Sequence, residues 1–214
     1  MKNIVVASVG EQMEPLFVGL RQFPTEKVIL LSPQERKQDA ERTRNDLEKF
    51  KIPGYIVTID ESTEAKLWEN TFRVLSDIKN AETDKEVLVN IETGDKEARF
   101  ATMSGAFVNG MKAFSVSGER AQMLPVMKFS YYKLIPDKKM EILKILHENN
   151  TLSSLDELSK RTKMSLPLIS YHINGNLKSE GLKSMGLIET KEQKGRVSIS
   201  LSLLGRMVVQ GYVN

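Results

Sequence analysis

Cysteine is absent from this 214-residue chain, which excludes disulfides, thiolate nucleophiles and cysteine-held metals, and fits a reducing cytoplasm. Histidine is scarce too: only His147 and His172 occur, both in the C-terminal third, so no histidine-rich metal site is expected. No apolar run approaches the roughly 20 residues that span a bilayer. Charge arrives at Glu11, too early for a secretory leader, so a cytoplasmic protein with no membrane partner is expected. Internal repeats and low-complexity tracts are missing. So is G-x-G-x-x-G, which argues against a nicotinamide or flavin dinucleotide, and so is the P-loop pattern of nucleotide triphosphatases. No nucleophile–base pair is legible, because both histidines lie far along the chain from any other candidate chemistry. Hence no catalytic residue, no metal and no resident cofactor are expected.

What is present divides unevenly. Residues 1–136 hold 19 Lys and Arg against 20 Asp and Glu, while residues 137–214 hold 12 against 8. The basic surplus therefore sits at the C-terminal end, where attraction to phosphate would use it.

Five short apolar runs punctuate the first two-thirds: 4–8, 28–31, 55–59, 87–91 and 112–116. They are β-branched and continuous rather than alternating, the mark of strands buried on both faces. Helical stretches at 13–22, 33–50, 63–79 and 97–109 separate them. An α/β fold follows: a Rossmann-like parallel sheet in a three-layer sandwich, covering residues 1–135, with a sixth strand at 126–134. Within 33–50 the dense mixed charge (Glu35, Arg36, Lys37, Asp39, Glu41, Arg42, Arg44) reads as a solvated outer face.

Ligands of open parallel sheets sit beyond the carboxyl ends of the strands, and two loops there stand out. Ser8, Val9, Gly10 and Glu11 follow the first strand, with small residues and backbone N–H groups at a helix start. Asn90, Thr93, Gly94 and Lys96 follow the fourth, ahead of a helix rich in Ala, Ser and Gly; they supply hydrogen-bonding groups, close backbone approach and a cation. The competing interpretation is a plain strand-to-helix turn, and spacing alone leans slightly toward it. Glu92 and Asp95 place two carboxylates beside the proposed pocket, unfavourable for phosphate unless they turn away or are neutralised.

Residues 136–214 read as a winged helix-turn-helix. A helix at 138–148 forms one wall. Ser154 and Glu157 fit a capping box that opens a second helix running to about Thr162. A third opens with Pro167 in its first turn, and Ile169, Ile173 and Leu177 at helical spacing extend it to Lys178 with Gly175 inside it. Its other face carries Ser170, Tyr171, Asn174 and Lys178. With Ser165 these are candidate contacts to double-stranded DNA; an Asn paired bidentately with adenine discriminates by about 1–3 kcal/mol. Tyr171 has the alternative of packing on the preceding helix, and His172 reads as structural. Strands at 187–190 and 197–201 flank a basic turn whose Lys191, Lys194 and Arg196 would meet phosphate. An amphipathic stretch, 202–213, closes the chain.

This order of domains, the Asn90–Lys96 loop and the small-residue helix behind it resemble the CRISPR-associated Rossmann fold (CARF) regulators of archaea. The resemblance spans nearly the whole chain, in layout more than in identity. It implies a sensor domain that dimerises and clasps a cyclic oligoadenylate between paired copies of the two loops, with winged modules on promoter DNA. Carried over, Ser8, Val9, Gly10 and Glu11 match the first ligand loop, and Asn90, Thr93, Gly94 and Lys96 the second. Asp95 departs from the pattern, since the family commonly has a second glycine there. The expected function is a homodimeric, ligand-responsive transcription regulator. One alternative is a cyclic oligonucleotide phosphodiesterase, in which Ser8, Thr93 and Lys96 orient a ribose 2′-hydroxyl; another is an adaptor with no role on DNA.

Overall fold

The computed structural model describes residues 2–125, 135–193 and 196–213. They fall into two compact units, divided between Pro125 and Ile135.

The first unit alternates strand and helix: β1 (Asn3–Ser8), α1 (Glu14–Gln22), β2 (Thr25–Pro33), a 3-10 turn (Gln34–Arg36), α2 (Lys37–Lys49), β3 (Gly54–Ile59), α3 (Glu64–Ala81), β4 (Val87–Asn90), α4 (Lys96–Val108), β5 (Lys112–Ser117) and β6 (Arg120–Met123). Their order in the sheet is β3-β2-β1-β4-β5-β6. The first five are parallel, and β6 returns antiparallel to β5. In β1, in β4 and in β2 from Val28 onward the continuous apolar runs have the expected cause, whereas the edge strand β3 leaves Tyr55 and Thr58 exposed and β5 is buried only in part. Every residue of β1 is buried. Val5 and Ala7 point to the layer of Leu16, Leu47 and Phe114, whereas Ile4 and Val6 point to that of Leu67, Leu75 and Ala106. Burying both faces stabilises by about 1.5–3 kcal/mol for each large aliphatic side chain, which an alternating strand could not do. The expected sixth strand at 126–134 lies outside the described residues; β6 takes the edge position beside β5.

The second unit is built on α5 (Asp137–Asn149), α6 (Leu155–Thr162) and α7 (Leu166–Asn174), with a sheet of β7 (Thr151–Leu152), β10 (Ile188–Gln193) and β11 (Arg196–Leu201) in the order β10-β11-β7. A two-residue ladder, β8 (Gly175–Asn176) with β9 (Ser179–Glu180), follows α7, and α8 (Leu203–Val213) ends the unit. Ile142, Leu143 and Leu146 of α5, Leu158 of α6, Ile169 of α7 and Ile199 of β11 share one core. The cap of α6 forms as its sequence implies on one side, where Ser154 Oγ accepts the Glu157 N–H at 3.2 Å. The return bond lands one residue early: Glu157 Oε2 accepts from Ser153 N at 3.2 Å and Ser153 Oγ at 3.0 Å. Lys163, left-handed at φ 56°, closes α6, and the chain re-enters helix after Ser165.

One expectation fails here. α7 stops at Asn174, so Leu177 and Lys178 lie in the turn between β8 and β9, with Leu177 fully exposed. The cause is Gly175, which adopts φ +75° as the helix cap. A Cβ there would stand 2.4 Å from Gly181 N, so only glycine fits.

Candidate functional site: the crevice between the first and fourth strands

Because the sheet order reverses between β1 and β4, these neighbouring strands send their following chain to opposite faces and leave a crevice at their carboxyl ends. The two loops singled out in the sequence are those that flank it. They meet glycine to glycine: a Cβ on Gly10 would lie 2.7 Å from Gly94 Cα, and one on Gly94 would lie 2.7 Å from Ser8 Cβ. Gly94 also holds φ +91°, which side chains rarely adopt. The loops touch through backbone because both residues lack side chains.

Behind this contact lies a buried polar set. Thr102 Oγ1 donates to Ala98 O at 2.6 Å, so in its 2.7 Å bond with Ser8 Oγ it accepts, and Ser8 gives its proton inward. Ser8 Oγ is left as an acceptor. Asn90 Oδ1 accepts the Glu92 N–H at 2.8 Å, while Asn90 Nδ2 and Thr93 Oγ1 have no partner among the described residues although both side chains are buried. Two unmatched polar groups in one loop cost about 1–3 kcal/mol each, a debt that a ligand or water can remove. In the first loop, the Val9 N–H is committed to Leu31 O at 2.8 Å. Lys96 is exposed at the start of α4, where helix dipole and side chain both favour an anion.

The two carboxylates beside the crevice, Glu92 and Asp95, are neutralised locally. Glu92 pairs with Arg99, which also donates to Ile91 O at 3.2 Å. Asp95 receives Arg36 Nη2 on both oxygens at 3.2 Å. Arg36 further approaches Asp39 at 3.6 Å and Glu11 at 3.8 Å, so one guanidinium gathers three carboxylates at the mouth of the crevice. Partial burial by itself would lower its pKa; the charge and hydrogen bond of Asp95, then Glu11 and Asp39, raise it above the ordinary value. Glu61 lines a small cleft there with Ser8, Val9, Pro33, Asp95 and Ala98. Desolvation, then repulsion from Glu35 and Asp95, holds its carboxyl above the usual range. Arg36 is therefore no member of a solvated face, in contrast to Glu41 and Arg44, which pair with each other at the surface of α2.

In the second unit, Ser165, Tyr171 and Asn174 of the candidate DNA contacts are exposed and Ser170 is half-buried. Asn174 Nδ2 donates to Ser170 Oγ at 3.2 Å. Lys178 is exposed in the β8–β9 turn, and Lys191 is exposed on β10. Lys194 and the side chain of Arg196 lie outside the described residues. Beneath α7, His172 is buried and neither ring nitrogen has a hydrogen-bond partner among the described residues. Lys139, also buried, places its ammonium on Glu180 O and within 3.4 Å of Ser179 Oγ. Burial, then repulsion from Lys139 and Lys138, pushes the His172 pKa below its ordinary value. The unfolded chain then takes up a proton near pH 6.5 that the folded one refuses, so stability present above about pH 6.5 drains as pH falls toward the lower folded value. Thermal melts at pH 7.5 and 5.5 are expected to show a loss that His172→Leu suppresses; an unchanged loss in that variant would remove His172 as its source.

No protein-family profile matches the sequence, and no curated protein does. Solved structures do match. Enterococcus italicus Csm6, bound to cyclic hexa-2'-fluoro-hexa-dAMP, aligns at TM-score 0.51 and 10% identity over 82% of this chain and 51% of its own. Can2 from Sulfobacillus thermosulfidooxidans, in complex with cyclic tetra-adenylate, aligns at 0.47 and 14% over 98% and 62%. Protein VC1899 from Vibrio cholerae aligns at 0.49 and 11% over 98% and 64%. The Csm6 likeness shows the fold. This chain spans between half and two-thirds of the length of these three proteins. Among the described residues, no helix is long and apolar enough to cross a membrane, and no cluster of His, Cys, Asp or Glu is arranged to hold a metal.

Sequence reasoning missed Arg36 and Thr102. Arg36 meets Asp95 across 59 positions, and no local pattern announces such a pair. Thr102 carries a weak signal, a hydroxyl residue on the inner face of a helix otherwise lined by Ala101, Gly105 and Ala106.

Proposed function

We propose that the first unit senses a cyclic oligoadenylate and that the second is a winged helix-turn-helix, the chain acting as a homodimeric transcription regulator on double-stranded DNA. The observation that carries the sensor reading is the pair of buried, unpartnered groups, Asn90 Nδ2 and Thr93 Oγ1, behind glycine loops that meet at the β1–β4 switch point. An adenine nucleotide offers the matching acceptors, ring nitrogens and phosphate oxygens; its 2′-hydroxyl and amino groups suit the acceptor left on Ser8. Lys96, the α4 dipole and Arg36 supply positive charge. The fold shared with Csm6, whose structure holds cyclic hexa-2'-fluoro-hexa-dAMP, supports a ligand of this class. A two-fold dimer matches a ring of repeated nucleotides, and two DNA modules match a palindromic site. Effector binding alters DNA affinity only to the extent that it prefers one dimer arrangement.

Calorimetric titration with cyclic tetra-adenylate and cyclic hexa-adenylate tests the sensor. Binding of one ring per two chains is expected, with a DNA mobility shift whose affinity falls as salt rises. Heat from neither ring, at protein concentrations that saturate a micromolar site, would overturn the sensor reading. Product analysis of the same mixtures separates binding from cleavage. Ser8 commits its proton to Thr102, so toward a ribose 2′-hydroxyl it can only accept.

A further inference from the structure

The exposed face of α7 has an unusual chemistry for a helix proposed to enter DNA. Residues 166–174 read Leu-Pro-Leu-Ile-Ser-Tyr-His-Ile-Asn, without one lysine, arginine, aspartate or glutamate. Ile169, Ile173 and His172 account for the buried side. The outward side nevertheless remains apolar: Leu166 is 43% exposed, Leu168 39% and Tyr171 37%, with Ser165 and Asn174 exposed at its two ends. Cations flank the helix instead of occupying it. Lys163 stands in the turn before it and Lys178 in the turn after it, both exposed and neither ion-paired among the described residues.

Each class of groove contact makes a demand on that surface. Guanine is read through O6 and N7 by Arg or Lys, which α7 lacks. Pressing the leucine side chains and the apolar face of the tyrosine ring against guanine or cytosine edges would strip water from donors and acceptors, and the leucines return no hydrogen bond. The thymine 5-methyl is the apolar group that the major-groove floor presents, and Asn is the side chain that pairs with adenine N6 and N7. Charge complementarity points the same way: apolar centre to bases, cationic ends to the phosphates on either side.

We propose that the Leu166–Leu168–Tyr171 face of α7 recognises thymine methyl groups in an A·T-rich duplex, with Asn174 on adenine and Lys163 and Lys178 on phosphates. This rests on the DNA reading above and names the sequence class that it reads.

The test uses the full chain and three duplexes of one length: A·T-rich, the same sequence with every thymine replaced by deoxyuridine, and G·C-rich. Deoxyuridine removes only the methyl groups. Affinity is expected to fall about 10-fold or more from thymine to deoxyuridine, and to be weakest for G·C. Leu168→Ser, a change at an exposed position, is expected to lower affinity for the thymine duplex and leave the deoxyuridine duplex unchanged. Equal affinity for thymine and deoxyuridine duplexes would overturn methyl recognition while leaving DNA binding intact. Binding to none of the three overturns the DNA reading itself, and with it this proposal. Self-association of the wild-type chain that Leu168→Ser abolishes, in the absence of duplex binding, would assign the face to a second copy.

Discussion

Gly10→Ala is expected to cut affinity for a cyclic oligoadenylate at least about 100-fold while leaving the sheet folded, at a cost of roughly 1–3 kcal/mol for the overpacked contact. The atoms that the new methyl would strike are Gly94 Cα, N and C, at 2.7–2.9 Å. Backbone has no rotamer to yield, so the β1 and β4 loops must part. Their separation sets the distance between the acceptor on Ser8 and the free groups on Asn90 and Thr93, and misplacement by about 1 Å is enough to lose such a site. Two comparisons isolate the cause. Gly94→Ala adds the strain of φ +91° to a clash with Ser8 Cβ and should be the more destabilising of the pair. Gly118→Ala, at φ +58° with nothing within 4 Å, carries strain of about 1–2 kcal/mol without a clash and should bind ligand normally. Thermal unfolding read beside calorimetric affinity separates these outcomes. If Gly10→Ala binds as the wild type does, the crevice is not the ligand site.

The inner parallel strands were legible because burial on both faces leaves a trace in composition, whereas edge strand β3 was legible from its β-branched residues alone. Val5 and Ala7 against Ile4 and Val6 need apolar residues at every position, and the shortness of the run separates such a strand from a buried helix. The two loops were legible because glycines at strand ends serve close approach. The neighbour of each glycine was hidden, since Gly10 and Gly94 meet only once the sheet places β1 beside β4. β6 left almost no trace: Arg120-Ala121-Gln122-Met123 has little strand propensity. It is secured from outside, with Gln22 Nε2 donating to Glu119 O at 2.9 Å and Gln22 Oε1 accepting the Ala121 N–H at 3.1 Å. The end of α7 at Asn174 is obscured in the sequence for the opposite reason. Spacing of Ile169, Ile173 and Leu177 imitates one more helical turn, and only the Gly175-Asn176 pair, a turn signal, speaks against it. At the site, the charge run 35–44 hid Arg36 among residues that are solvated.

Asp95→Asn is expected to raise affinity for an anionic ligand about 5-fold per site, and Arg36→Ala to lower it about 10- to 100-fold. Arg36 is shared in the free protein by Asp95, Glu11 and Asp39 at 3.2–3.8 Å, on a surface where such pairs are worth about 0–1 kcal/mol each. A ligand phosphate offers the same guanidinium a charge-assisted contact worth about 1.5–3 kcal/mol, so it wins the competition without large cost. Removing the Asp95 charge abolishes a competitor and a repulsive neighbour together, worth about 1 kcal/mol at a hydrated rim. The sign decides between two roles. A guanidinium that passes from carboxylate to phosphate gives opposite effects in the two variants, and in the double variant the Asp95→Asn gain shrinks because the group it frees is gone. A strut that merely ties α4 to the turn after β2 gives losses in both, with matching drops in melting temperature. Titration of the single and double variants with cyclic tetra-adenylate at low and high salt reads the difference directly, because the exchanged contact weakens as ions screen it.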